Sequence, residues 1–171
     1  MKNMTRSKIY LPMAAMILTA ALAFPAAAKQ RVPFMGALQG NDVDTFLSPT
    51  TVLVATTGTG IATHLGQFSF TQESTVDFTT GTATGFAHWT AANGDSIDTT
   101  LAGSGEPTDA PDVLRITDIH TITGGTGRFA GAQGSFTVER LASVVTFLTS
   151  GSFHGTITSP GAAKKGSGSA N

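Results

Sequence analysis

The sequence contains no cysteine, and its few lysines all lie near the two ends of the chain. The first absence excludes a thiol nucleophile, a disulfide and lipid attachment through an N-terminal cysteine. The second excludes a Schiff-base lysine within the body of the domain, because no lysine occurs between Lys29 and Lys164. A Gly-x-Ser-x-Gly nucleophile elbow and a His-x-x-x-His pair are also absent. These gaps exclude several common enzyme classes on residue content alone.

The N-terminal segment has the pattern of a secretory signal peptide. Basic residues lie within the first eight positions, an apolar run covers residues 9–24, and Ala26, Ala27 and Ala28 follow. A transmembrane helix would need roughly 20 apolar residues, and Pro12 interrupts this shorter run. We therefore expect residues 1–28 to be a signal peptide. The mature protein is then exported, to the periplasm or the extracellular space, with no membrane span.

The chain that remains after this cleavage is mildly acidic. It has 143 residues (171 minus 28), with 11 acidic side chains and 7 basic ones (10 minus the three in the signal peptide), a net charge of −4. Such a charge does not favour binding to nucleic acid, which requires a cluster of basic side chains. The length suits one domain with one core, which we assign to residues 29–160. Residues 161–171 are small, polar and lysine-containing, and are expected to form a disordered tail.

Alternation of apolar and polar residues predicts an all-β domain. Phe68 and Phe70 share one face of a strand, and no segment shows a sustained apolar stripe at helical spacing. The Asn93-Gly94 turn is a strong hairpin signal, and Gly103–Asp112 resembles an exposed loop. Eight strands favour an antiparallel β-barrel over a sandwich, because closure removes sheet edges. The predicted strands cover residues 33–39, 52–63, 67–78, 82–90, 96–103, 113–123, 134–141 and 144–158, the last with a break near Ser150-Gly151.

The glycine-rich run Gly124–Gly134 allows two interpretations. Gly125-x-Gly127-x-x-Ala130 superficially matches a dinucleotide fingerprint, but that site needs a helix after the glycines. The residues that follow Gly134 alternate as a strand instead. The run is therefore expected to be a barrel corner, with a tight turn at Gly124-Gly125 and Phe129 closing the barrel end. Arg128 within it either closes the barrel mouth or is solvated, and the second is preferred.

The same run resembles a segment of a known superfamily. The pattern Gly-Gly-Thr-Gly-x-Phe-x-x-Ala-x-Gly at 124–134 is similar to the late-barrel segment of the dirigent and allene oxide cyclase-like proteins. Residues 62–68 and the turn at 92–95 resemble those of small exported bacterial members. The resemblance implies an eight-stranded antiparallel barrel with a partly apolar cavity, often assembled as a homo-oligomer. The superfamily's cavity tyrosines have no counterpart, since Tyr10 leaves with the signal peptide, so the activity is not carried over.

Asp118 and His120 are the candidate catalytic residues. Period two places both on one strand face with Leu114 and Ile116, and Arg115 on the opposite face. If the face with the apolar residues is the interior, a carboxyl and an imidazole share a desolvated cavity, as acid–base sites often do. The arrangement with Arg115 outside is preferred, because an unpaired buried arginine is costly. Each of the four histidines is more simply explained without a metal, and we predict no metal site and no cofactor.

The sequence supports three functions. The first is a non-enzymatic exported barrel that binds a small apolar ligand, with Phe68, Phe70, Trp89 and His120 as candidate binding residues. The second is a cyclase- or isomerase-like enzyme that uses Asp118 and His120 as its acid–base pair. The third is a structural protein of the envelope or extracellular matrix. The sequence favours the ligand-binding function, and the enzymatic and structural functions stay open.

Overall fold

Eight antiparallel strands close into a single barrel in the computed structural model, which describes residues 30–158 and 160–161. Each strand pairs with its neighbours in sequence, and β1 also pairs with β8. The strands are β1 Arg31–Ser48, β2 Thr51–Ala62, β3 Gly66–Asp77, β4 Thr82–Ala91, β5 Ser96–Pro107, β6 Val113–Gly125, β7 Gly134–Ser143 and β8 Leu148–Thr158. The predicted all-β class and closed barrel are confirmed. The predicted signal peptide and nearly all of the predicted tail lie outside the described residues.

The two ends of the barrel differ in how they are closed. One end, which we call the closed end, carries the β2–β3, β4–β5 and β6–β7 connections, the start of β1 and the end of β8. The β6–β7 connection contains a short 3₁₀ helix, Gly127–Phe129, and Phe129 is buried in the barrel end. The other, open end carries four connections of two to five residues, at 49–50, 78–81, 108–112 and 144–147. Only the closed end therefore has a segment long enough to fold over the interior.

An aromatic core fills the half of the barrel next to the closed end. Trp89 lies at its centre and contacts the rings of Phe68, Phe70, Phe136 and Phe153 at centroid distances of 5.1–5.6 Å. Phe70 stacks on the indole and the other three rings are tilted or edge-on to it, the arrangements that aromatic quadrupoles favour. These rings lie on β3, β4, β7 and β8, at the positions where the alternation of side chains along each strand points inward. This half of the interior is packed solid by side chains.

Several strand boundaries differ from the prediction. β1 continues to Ser48, nine residues past its predicted end at residue 39, and β5 continues to Pro107, into the segment predicted to be a loop. β8 runs without a break through Ser150-Gly151, and the break lies before it, at residues 144–147. Beyond Asn41 the extension of β1 pairs with β2 alone, and beyond Ser104 the extension of β5 pairs with β6 alone. Pairing with one neighbouring strand thus continues strand ends that local sequence alone does not favour.

The glycine-rich run is a barrel corner, but its turn is not where the sequence suggested. Gly124 and Gly125 end β6, and the chain turns at the 3₁₀ helix and at Gly131, whose φ is +67°. A Cβ on Gly134 would lie 2.1 Å from the Thr156 carbonyl oxygen, so this position requires glycine for close approach of two strands. Arg128 is not simply solvated. Its guanidinium lies over the Phe129 ring and donates a hydrogen bond to the Leu65 carbonyl across the closed end.

Candidate interior binding site

The interior face of β6 carries both candidate catalytic residues. Asp118 and His120 are 1% and 0% exposed, and Arg115 lies on the outer face, as the alternation predicted. The two side chains nevertheless have different surroundings. His120 stacks on Phe136 at 4.9 Å within the aromatic core, whereas Asp118 lines a cavity towards the open end. They are neighbours on one face, but they do not share a cavity.

His120 is held neutral inside the aromatic core. Its Nδ1 lies 3.0 Å from the Thr99 hydroxyl, and its Nε2 has no hydrogen-bond partner among the described residues. Burial lowers the pKa of His120 to about 3, and the positive charge of Arg140 adds to that effect. A group that is neutral at any ordinary pH and sealed by rings packs as an aromatic side chain.

The neutral state of His120 predicts a pH-dependent stability. The unfolded chain binds a proton at this residue below about pH 6.5, whereas the folded protein does so only near pH 3. Its contribution is therefore fully present above pH 6.5 and is lost as the pH falls towards 3. We expect a loss of about 3 kcal/mol between pH 6.5 and pH 4 from this group. Urea denaturation across that range measures it.

The matched control replaces a histidine on the outer face. His120→Phe keeps the ring stack and removes the titrating group, so the pH slope should flatten, whereas His154→Phe on the exposed face of β8 should leave the slope unchanged. Burial raises the pKa of Asp118 and gives the opposite slope, so only the difference between the two variants isolates His120. Equal slopes in both variants would contradict the prediction.

Three charged side chains form a buried group that we call the triad: Asp42, Asp118 and Arg140. The Arg140 Nε donates to Asp118 Oδ2 and its Nη1 to Asp42 Oδ2, each at 3.4 Å, and Nη1 also donates to the Thr149 hydroxyl at 3.0 Å. Asp42 accepts a further hydrogen bond from the Thr56 hydroxyl at 2.6 Å. All three charged side chains are less than a tenth exposed. Such burial is tolerated because the charges are paired and hydrogen-bonded.

The strands around Asp118 are shaped to admit its carboxyl group. Gly103 lies opposite it on β5, and a Cβ at Gly103 would lie 2.0 Å from Asp118 Oδ1. Burial raises the pKa of the Asp118 carboxyl, and Arg140 offsets only part of that rise. The triad therefore places two carboxyl groups and one guanidinium across the middle of the barrel.

A cavity of about 170 Å³ lies between the triad and the open end. Asp42, Asp118 and Arg140 contribute its polar floor, and Asp44 and three serines add polar atoms to its sides. Loop residues at the open end, among them Phe78 and Phe147, line its mouth. Its walls are apolar and consist mainly of Val52, Val54, Val76, Leu114, Ile116 and Ala142. An apolar chamber with a few convergent polar groups is the usual form of a small-molecule site.

Exposed apolar side chains form a collar around the open end. Phe46, near the end of β1, and Phe78, on the β3–β4 connection, lie 6.2 Å apart by ring centroids. Phe147 lies on the β7–β8 loop with φ at +58°. A left-handed backbone is unusual for an aromatic residue and stores strain, a feature that clusters at ligand sites. The collar consists of Phe46, Leu47, Phe78, Val144, Val145 and Phe147.

The aromatic residues proposed from sequence as ligand contacts lie in the packed core. Phe68, Phe70, Trp89 and His120 contact one another and do not line the interior cavity. Sequence reasoning missed Asp42 and Arg140. The period-two pattern of Phe136 and Val138 leads directly to Arg140, so continuing that alternation would have placed it inside.

A larger depression of about 900 Å³ lies on the outside of the barrel over β1–β4. Its lining consists of small, apolar and uncharged polar side chains and includes no charged group. Among the described residues, no cluster of three or more histidine or acidic side chains has the arrangement of a metal site. Within the same residues, no helix has the length and apolar character needed to cross a membrane. Of these two sites, only the interior cavity is lined by charged side chains, so it is the candidate functional site.

Comparison with known proteins links the barrel to a solved structure. No family model and no curated protein matches the sequence. The fold is similar to that of the pterocarpan synthase dirigent protein GePTS1, with a TM-score of 0.53 and 11% sequence identity, over 77% of this chain and 91% of that one. At this identity the likeness concerns the fold. The chain has a dirigent-like, closed eight-stranded barrel.

Proposed function

We propose that this protein is an exported barrel that binds a small, largely apolar molecule in the interior cavity at its open end. The observation that carries the proposal is the contrast between the two halves of the interior. One half is packed solid by aromatic rings, whereas the other keeps an apolar chamber above a polar floor. Natural interiors rarely leave such space, because voids lose contacts and stability.

The structural neighbour is consistent with this use of the barrel. Its name describes a pterocarpan synthase, so a related fold serves the chemistry of a small organic molecule in that protein. For the present protein we propose only that the barrel binds a ligand, and not that it takes part in a synthesis. His120, the expected partner of Asp118 in acid–base chemistry, lies in the aromatic core and does not line the cavity. The proposal that the protein is exported rests on the N-terminal sequence pattern alone.

Methyl NMR titration tests the proposal directly. The cavity walls carry methyl groups that a bound molecule must contact, such as those of Val76, Leu114 and Ile116. We expect a titration with 1-octanol to shift these signals and to leave the outward Ile119 and Leu141 signals unchanged. A cavity-filling substitution, Ala83→Leu, should weaken binding by about tenfold or more through lost space.

The control substitution lies one position along the same strand. Thr84 points outward where Ala83 points inward, so Thr84→Leu places the same leucine side chain outside the barrel. It should leave the octanol affinity unchanged. Shifts spread equally over inward and outward methyl groups, or equal weakening by both substitutions, would overturn the interior site.

A further inference from the structure

The interior cavity carries more negative than positive charge. Three carboxyl groups line it, those of Asp42, Asp44 and Asp118, against the single guanidinium of Arg140. We propose that the ligand is a small organic cation, an amine whose ammonium group binds at these carboxyl groups while its short apolar body occupies the chamber. This inference rests on the proposed function and specifies its ligand class.

Arg140 is already shared between two carboxylates. Its Nε and Nη1 pair with Asp118 and Asp42, and the Thr149 hydroxyl accepts a third hydrogen bond. Its positive charge is therefore more than balanced within the floor. An anionic ligand would have to approach two carboxylates in order to reach one guanidinium, a like-charge contact that costs several kcal/mol at buried sites.

Asp44 adds a third acid, which is exposed at the open end of the cavity. It lies two residues from Asp42 on the inward face of β1, nearer to the open end, and lines the cavity. Among the described residues it makes no ion pair and no side-chain hydrogen bond. Burial raises the pKa of Asp44, and the nearby negative charge of Asp42 adds to that rise. A cation bound between the two carboxylates would relieve both effects.

An independent polar group also faces the chamber without a partner. Ser74 on β3 is 3% exposed and lines the cavity, and its hydroxyl makes no hydrogen bond among the described residues. A hydroxyl that faces the chamber without a protein partner can bind a ligand or an ordered water there. An ammonium has three donors and no acceptor, so it can donate to carboxylates and to this hydroxyl together.

Charge over the barrel is arranged to attract cations to the open end. Nine of the eleven acidic residues lie in the half nearer that end, against two arginines, Arg115 and Arg140. Among the described residues, the closed half has Asp95 and Asp98 against Arg31 and Arg128. Such an asymmetric field raises the local concentration and the association rate of an oppositely charged ligand. The acids of the open half are Asp42, Asp44, Glu73, Asp77, Glu106, Asp109, Asp112, Asp118 and Glu139.

Three probes with one apolar body and different head groups test the inference. At pH 7 octylamine is a cation, 1-octanol is neutral and octanoate is an anion, and each is titrated by methyl NMR and calorimetry at fixed ionic strength. We expect octylamine to bind about tenfold more tightly than octanol, and octanoate about tenfold more weakly than octanol. Asp44→Asn should reduce the preference for octylamine severalfold and leave octanol binding unchanged.

The matched control for charge is Glu73→Gln, which removes an acid of the open half that points outward. It should leave the ratio of octylamine to octanol affinity near its wild-type value. Equal affinity for octylamine and octanol, or tighter binding of octanoate, would contradict the cationic ligand but not the proposal that the cavity binds a small apolar molecule. If none of the three shifts the cavity methyl groups, the proposed function fails and this inference fails with it.

Discussion

Arg140→Met is expected to lower the free energy of unfolding by about 3–5 kcal/mol. The substitution keeps a flexible, unbranched stem and removes the one cation that Asp42 and Asp118 share. Two carboxyl groups that are less than a tenth exposed would then remain without a counter-charge. Breaking a buried pair costs far more than the pair is worth, because the surviving charge is left desolvated. Urea denaturation at pH 7 measures the loss.

Two comparisons separate this effect from a simple loss of packing. Adding Asp42→Asn and Asp118→Asn to Arg140→Met removes the orphaned charges and should restore most of the lost stability. Acidification should also reduce the difference in the free energy of unfolding between Arg140→Met and the wild type, because protonated carboxyl groups no longer need a cation. If the triple variant is as unstable as Arg140→Met, the charge argument is wrong and packing accounts for the loss.

Trp89→Ala should be the most damaging change in the aromatic core, at about 3–5 kcal/mol. Trp89 is 1% exposed and contacts five rings, including His120, so its removal leaves a void that rigid aromatic neighbours refill poorly. Phe86→Ala on the same strand supplies the comparison, because Phe86 is 59% exposed. That change should cost no more than about 0.5 kcal/mol. Denaturation followed by far-UV circular dichroism suits both, since the first variant loses the only tryptophan.

A stable Trp89→Ala protein would contradict the division of the interior into a structural half and a binding half. The conservative Trp89→Phe keeps an aromatic ring at the centre and is expected to fold. In that variant the affinity for octylamine should match the wild type, because Trp89 does not line the cavity. A changed affinity would instead place the aromatic core within the binding site, as the sequence had suggested.

Much of the barrel could be predicted from local sequence because half-buried strands alternate. The alternation correctly placed Asp118 and His120 inside and Arg115 outside, and Asn93-Gly94 correctly located a hairpin. Period-two patterning reports which face of a strand is buried. It does not report depth along the barrel axis, so the aromatic core and the cavity could not be separated.

The triad could not be predicted for a related reason. The predicted first strand ended at residue 39, which left Asp42 and Asp44 outside any strand, although β1 continues to Ser48. Aspartate is a poor strand residue. Arginine and aspartate are both almost never fully buried unless they are paired. Their burial here depends on a partner 98 positions away in the chain, from Asp42 to Arg140. Only closure of the sheet brings those two residues together.

The described chain enters β1 at Arg31 and leaves β8 at Thr158 on the same end of the barrel, opposite the mouth of the cavity. A tether added beyond either residue would hold the barrel by its sealed base. The mouth would then face the solution and stay free of the support. The molecule is thus laid out for immobilisation on a sensor chip or a bead, with the chamber open to sample flowing above it.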